Sequence, residues 1–334
     1  VRRLLPEKSW IMNYLLLLVG LVLLAVCAEM LTRGSAALAA RFSVPEFVVG
    51  LTVVAIGTSM PELTVSVMSA AEGNGAMSIG NVTGSNLFNT LVILGVCALI
   101  RPLLFTRENI RRDIPICIGA SLVLAAVIFG SRAVSGGAGG IGRAAGAAML
   151  LSYVGVIVYS IRSARHDMPD AQADGGAGDA AAAKPMPWVA IGLFIAVGLV
   201  GLIGGGKLCL SSASAIARAW GVSESVIAIT VVAAGTSLPE LASSVSAVAN
   251  GKFSMAVGNI IGSNIFNILF ILGSAATIHP LTASAIGPLD IWMVLGSAVL
   301  LLVSALVIGV RRITRAEGLA YLAIYVGYVI YLIR

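Results

Sequence analysis

The chain has 334 residues, of which 58% are hydrophobic and 11% charged; its mean hydropathy is +1.01 and its net charge +6. Charged residues are about half as frequent as in a soluble domain, too few to coat a globule in water, and this excludes a soluble enzyme or binding module. The basic excess sits in loops between apolar runs, as in RENIRRD (107–113) and RRITR (311–315), so it is topological information and not a nucleic-acid surface.

Ten apolar segments follow in order: 10–40, 46–71, 76–100, 110–130, 141–162, 188–219, 223–249, 254–277, 287–310 and 316–333. Each is near the length that crosses a hydrocarbon core. They are continuous runs without alternation, which predicts helices and not barrel strands. The expected fold is an all-α polytopic membrane protein with ten transmembrane helices. The first segment has the look of a leader, but GSAALAARFSVPE (34–46) has a counterpart in SSASAIARAWGVSE (211–224), so it is expected to be the first span. Cys27, Cys97, Cys117 and Cys209 lie in apolar runs without metal-type spacing and read as small core residues. Glu29 and Arg33, spaced i, i+4, read as a structural ion pair, while Lys207 occupies the place of Glu29 in the second half.

Glu46 to Gly95 aligns with Glu224 to Gly273 at a constant offset of 178, with 28 of 50 positions identical. The chain therefore reads as a first five-helix half (1–162), a linker rich in Ala, Gly and Asp (163–187), and a second five-helix half (188–334). Five spans separate equivalent helices. An odd number turns the second copy over, which gives the inverted repeat of secondary transporters. Lys and Arg number eleven on one face and seven on the other, so the richer face, including the linker, is expected in the cytoplasm and both termini outside.

The chemistry lies in AIGTSMPEL (55–63) and AAGTSLPEL (233–241). Pro61 has no N–H, so the Gly57 carbonyl loses its helical partner; Pro239 does the same at Gly235. The break is expected to free carbonyls around Ala55 to Gly57, with Ala233 and Gly235 reproducing the set in the second half. Thr58, Ser59 and Glu62, with Thr236, Ser237 and Glu240, add hydroxyl and carboxylate oxygens. These are hard donors suited to Na⁺ and Ca²⁺. The next helices, GNVTGSNLFN (80–89) and GNIIGSNIFN (258–267), place Asn81, Ser85 and Asn89, and Asn259, Ser263 and Asn267, along one face. Gly80 and Gly84, and Gly258 and Gly262, are spaced for close helix approach. A lone intramembrane proline is usually only a kink, and a lone asparagine often only joins helices. An intramembrane glutamate costs several kcal/mol and marks function. Two in one setting predict a single central cage.

These paired motifs resemble the two α-repeats of the sodium/calcium exchanger family, and the short linker resembles its prokaryotic members, placing the protein in a plasma (inner) membrane. The resemblance implies alternating access, with Ca²⁺ and several Na⁺ competing for one midplane cluster. It implies Glu62 and Glu240 as central carboxylates and Ala55 and Ala233 as carbonyl donors. Thr58, Ser59, Thr236 and Ser237 would serve mainly Na⁺, and Ser85, Asn89, Ser263 and Asn267 would complete the cluster. Some family members carry Asp where this chain has Asn267. Three other readings remain at this point: H⁺/Ca²⁺ antiport through buried glutamates, a cation channel, and, remotely, an intramembrane hydrolase. No enzyme reaction and no organic cofactor are expected; the partners are Ca²⁺, Na⁺ and lipid.

Overall fold

Apolar length and proline placement set the elements. The computed structural model describes residues 7–137, 139–166, 186–221, 233–308 and 311–333. Helix α1 (Glu7–Phe42) runs without an internal proline and ends where Ser43 takes a positive φ of 50° just ahead of Val44–Pro45. A second helix breaks into α2 (Glu46–Thr58) and α3 (Met60–Ala71), bent by 49°. Then come α4 (Gly75–Ile100), α5 (Asn109–Val134), α6 (Arg143–His166) and α7 (Trp188–Ala219). The chain resumes with α8 (Ala233–Thr236), α9 (Leu238–Ala249), α10 (Phe253–Ile278), α11 (Pro288–Val307) and α12 (Arg315–Ile333). Each predicted segment coincides with helix where it is described, apart from Ile141, Gly142 and Gly287 at segment starts and Ser59 and Ser237 inside the second and seventh. The start of the seventh segment and of the second repeat (to 232), and most of the linker, lie outside the described residues. Among the described residues, seven helices are long and apolar enough to cross a membrane, or eight with the α2–α3 pair as one broken span.

The repeat is visible in the element bounds. α3 and α9, and α4 and α10, begin and end at positions 178 apart. Both loops turn at a glycine in the left-handed region, Gly73 (φ 78°) and Gly251 (φ 74°), where a side chain would be strained. Both following helices widen into one π-helical turn, Phe88–Ile93 and Phe266–Ile271. Such bulges are frequent at functional sites. Short antiparallel strand pairs tie the halves at the helix ends: Leu103–Leu104 with Arg312–Ile313, and Gly140–Ile141 with Leu281–Thr282.

The most hydrophobic helices are not at the centre. In α10, of mean hydropathy 1.8, 94% of the apolar window is buried inside the protein, against 22% in α1 (2.6) and 28% in α7 (2.3). The polar, glycine-containing repeat helices make the core, and the long greasy ones face outward, as the bilayer requires. Gly258 and Gly262 do what their spacing predicts: an added Cβ at either would overlap the backbone of α2, at the Phe47 and Leu51 carbonyls. The matching partners of Gly80 and Gly84 would lie at 225 and 229, outside the described residues.

α1 and α7 pack along their length in opposite directions. Gly20 meets Cys209, Cys27 meets Gly201, Leu31 meets Gly198 and Gly34 meets Phe194. Gly57 and Gly235, the glycines of the two breaks, both lie against α7, at Leu199 and Leu210. The four cysteines are buried and unpaired.

Candidate functional site

The two breaks fall at Ser59 (φ −83°, ψ 12°) and Ser237 (φ −91°, ψ 8°), each outside helical geometry and followed by Pro at the first turn of the next helix. The proline thus ends one helix and starts another, with the glutamate in the first turn of α3 and α9. An N-terminal turn favours a carboxylate there. Ala55 differs from the expectation. Its carbonyl accepts the Ser59 N–H at 3.1 Å and has the Thr58 hydroxyl at 3.5 Å, so the break begins after it. The carbonyl without a possible helical donor is that of Gly57, four residues before Pro61. The side chain of Ala233 lies outside the described residues.

Glu62 and Glu240 are both 0% exposed. Their serine partners are exchanged between the halves. Ser237 Oγ donates to Glu62 Oε1 at 2.9 Å, and Ser59 Oγ donates to Glu240 Oε1 at 2.7 Å. Ser85 Oγ adds a longer bond to Glu62 Oε1 at 3.3 Å. Ser263 Oγ lies 3.1 Å from Ser59 Oγ; because the Ser59 proton goes to Glu240, Ser263 donates to Ser59. The structure therefore forms two groups, Glu62 with Ser237 and Ser85, and Glu240 with Ser59 and Ser263, and each contains a bond that crosses from one repeat to the other. Thr58 donates to the Val54 carbonyl at 3.0 Å. Thr236 is buried with its hydroxyl oxygen unpartnered.

Asn89 and Asn267 stand one turn beyond Ser85 and Ser263, in the π-helical turns. Their amide nitrogens are occupied: Asn89 Nδ2 donates to Asn264 Oδ1 at 3.2 Å, and Asn267 Nδ2 to Asn86 Oδ1 at 3.0 Å. Their oxygens are not. Among the described residues ten buried side-chain polar atoms lack a partner, and five of them are Glu62 Oε2, Glu240 Oε2, Asn89 Oδ1, Asn267 Oδ1 and Thr236 Oγ1. All five belong to residues singled out from the sequence. Buried orphan acceptors are what a cation-binding cluster requires, because each costs about 1–3 kcal/mol unless something meets it.

Asn81 and Asn259 have a different task from their neighbours on the same helix face. Asn81 Nδ2 bonds the Glu62 backbone carbonyl (3.2 Å) and Ser66 Oγ (2.9 Å). Asn259 Nδ2 bonds Ser243 (3.0 Å) and Ser244 (2.9 Å). They fasten the helices that carry the glutamates. Asn86 and Asn264 were not singled out by sequence reasoning. The signal was present: an amide in the middle of an apolar helix, GSN, at the same place in both repeats.

The Glu29–Arg33 pair forms at 2.6 Å, and Glu29 also accepts from Ser246 (3.0 Å) and Asn250 (2.5 Å) at the end of α9. Lys252 pairs with Glu46 at 2.7 Å on the same side. Across the molecule, Lys207 instead lines a cleft of about 230 Å³ with Pro61, Thr64, Gly206, Thr236 and Pro239.

Comparison with known proteins identifies the family. The family model described as sodium/calcium exchanger protein matches residues 12–162 and 190–334. CaxA of Alkalimonas amylolytica is 35% identical over 317 residues, covering 93% of this chain and 95% of that protein. The sodium/calcium exchanger MaX1 of Methanosarcina acetivorans is 30% identical, covering 96% of this chain and 98% of its own. Inner membrane protein YrbG of Escherichia coli is 32% identical over 79% of each chain. Among solved structures, the sodium-calcium exchanger NCX_Mj soaked with zero Na⁺ and Ca²⁺ superposes with a TM-score of 0.79 at 29% identity, covering 96% of this chain and 99% of that one. The chain belongs to the sodium/calcium exchanger family of membrane cation antiporters.

Proposed function

We propose that the protein exchanges Na⁺ for Ca²⁺ across the membrane by alternating access, with both ions bound in turn at the cluster around Glu62 and Glu240. The observation that carries this reading is the crossed pair of buried carboxylates. Each spends one oxygen on serine from the opposite half and leaves the other unpartnered. Two carboxylates balance one Ca²⁺. The amide oxygens of Asn89 and Asn267 and the hydroxyl of Thr236 add neutral hard donors, and Ca²⁺ takes six to eight oxygens. Ser59, Ser237 and Thr58 retain lone pairs for Na⁺, with Ser85, Ser263 and the Ala55 and Ala233 carbonyls completing the set. A proton needs none of these neutral donors, which is why Na⁺ coupling is preferred over H⁺ coupling.

In this reading the ten helices form two inverted five-helix halves. The antiparallel packing of α1 on α7, equivalent helices by the 178 offset, supports the inversion. These two helices slide over the rest to open each side. The α1 side is held shut by the Glu29 bonds to α9 and the Lys252–Glu46 pair, while the α7 side has a cleft reaching Thr236. The membrane is the plasma (inner) membrane of a prokaryote, with the linker cytoplasmic and both termini outside.

The test is ⁴⁵Ca²⁺ uptake into proteoliposomes loaded with Na⁺ at clamped pH. Uptake that requires internal Na⁺ is the expected result. Uptake indifferent to Na⁺ and driven by a pH gradient would replace Na⁺ by H⁺ as the coupling ion.

A further inference from the structure

The two asparagines of the cluster reach it as neutral amides, and an amide has two unlike ends. What decides which end faces the cation is visible in the bonds of Asn86. Its Nδ2 donates to the backbone carbonyl of Asn264 at 3.1 Å. A backbone carbonyl only accepts, so the Asn86 amide has one permitted orientation. Its Oδ1 is thereby turned to Asn267, which must answer with its nitrogen, and does so at 3.0 Å. The carbonyl oxygen of Asn267 is left buried and unpartnered at the opposite end. Across the pseudo-symmetry, Asn264 Oδ1 receives Asn89 Nδ2 at 3.2 Å while its own Nδ2 donates to Thr90 Oγ1 at 2.8 Å. That chain ends on a hydroxyl, which can either donate or accept. Asn89 is therefore held less strictly than Asn267.

We propose that Asn86 and Asn264 are positioning residues that fix the amides of Asn267 and Asn89 with their oxygens toward the cation, and that Asn86 commits position 267 to a neutral donor. The inference rests on the reading of Asn89 and Asn267 as cation ligands and adds what sets their orientation and charge. A carboxylate at 267 would place an acceptor against Asn86 Oδ1. Asn86 could turn its nitrogen to meet that carboxylate only by dropping its bond to the Asn264 carbonyl. The site is thereby built for two negative charges, and a third is resisted by a residue outside the ligand set.

The experiment is equilibrium ⁴⁵Ca²⁺ binding to the purified full-length protein for wild type, Asn267→Asp, Asn86→Leu and the pair, each checked for a single symmetric peak on size exclusion. Asn86→Leu alone should weaken binding about tenfold, the worth of one oriented hydrogen bond of roughly 1–1.5 kcal/mol. Asn267→Asp alone should also weaken it. The double variant should bind more tightly than either single one, because the facing acceptor is gone and the added charge then helps. A merely structural role for Asn86 would not give this reversal. If Asn86→Leu does not fold, Asn86→Thr replaces it, since a hydroxyl can donate to the carboxylate and gives the same reversal. An equal effect of Asn267→Asp in both backgrounds overturns the proposal while leaving the site intact. Binding unchanged in Glu62→Gln overturns the ligand cluster itself, and the proposal with it.

Discussion

At the scale of the residue, the site depends on oxygens that have been taken from water and not repaid by the protein. Glu62 and Glu240 are fully buried, each with one oxygen unpartnered. In the proposed assignment, Glu62→Gln and Glu240→Gln each remove half of the formal charge that faces a divalent ion. Each should lower Ca²⁺ uptake about 100-fold or more, the equivalent of roughly 3 kcal/mol, while the protein stays folded. Wild-type uptake in either variant would refute the assignment. Ser237→Ala removes one donor from Glu62 and should cost less, about tenfold in the KM for Ca²⁺. The pH response has a fixed sign. If the cation binds at the proposed site, both carboxylates must be ionised, and acid protonates them, so uptake at saturating internal Na⁺ should fall as pH is lowered and recover with added Ca²⁺. An acid-stimulated uptake under the same Na⁺ load would contradict competition at this site.

At the scale of the element, the proline break positions the glutamate, and close helix packing holds the break in place. Pro61→Ala restores an N–H for the Gly57 carbonyl and removes the reason for the 49° bend. The variant should be at least as thermally stable as wild type in detergent and yet lose most transport; a stable variant with full uptake would show that the break is dispensable. Gly258→Val is the opposite case. The added side chain would meet the Phe47 carbonyl with no room to yield, so the expected outcome is loss of a monodisperse folded peak, from an overpacking cost of about 1–3 kcal/mol or more. The break itself was legible in the sequence, because a missing N–H is a property of the residue. Its starting point was not: the Ala55 carbonyl stays bonded to Ser59, since the helix runs on until the first donor that proline removes.

At the scale of the whole molecule, the two halves have different surroundings although they share a sequence motif. α1 is fastened to α9 through Glu29, whereas α7 faces a cleft beside α3 that contains Lys207 and Thr64. Alternating access requires this asymmetry to reverse. A Thr64→Cys variant should therefore react with a membrane-impermeant maleimide from one side only, at a rate that changes with saturating Na⁺ or Ca²⁺. The four native cysteines are buried and give little background. Labelling that ignores both ions would mean that the cleft is not part of the transport path.

The sequence alone determined the membrane setting, the helix positions, the duplication, the two breaks and the kinds of oxygen donor. All of these follow from quantities carried along the chain: apolar length, a missing N–H, an offset of 178 and the chemistry of Glu, Ser and Asn. Only the tertiary structure decided the partners. Ser59 serves Glu240 and Ser237 serves Glu62, across 181 and 175 residues, and the amide of Asn267 is turned by Asn86 across another 181. Nothing local to either motif specifies those pairings. They arise because close contacts of α10 with α2 at Gly258 and Gly262 bring the two repeats into one register, and in a buried core each polar group takes the donor or acceptor that packing places within reach.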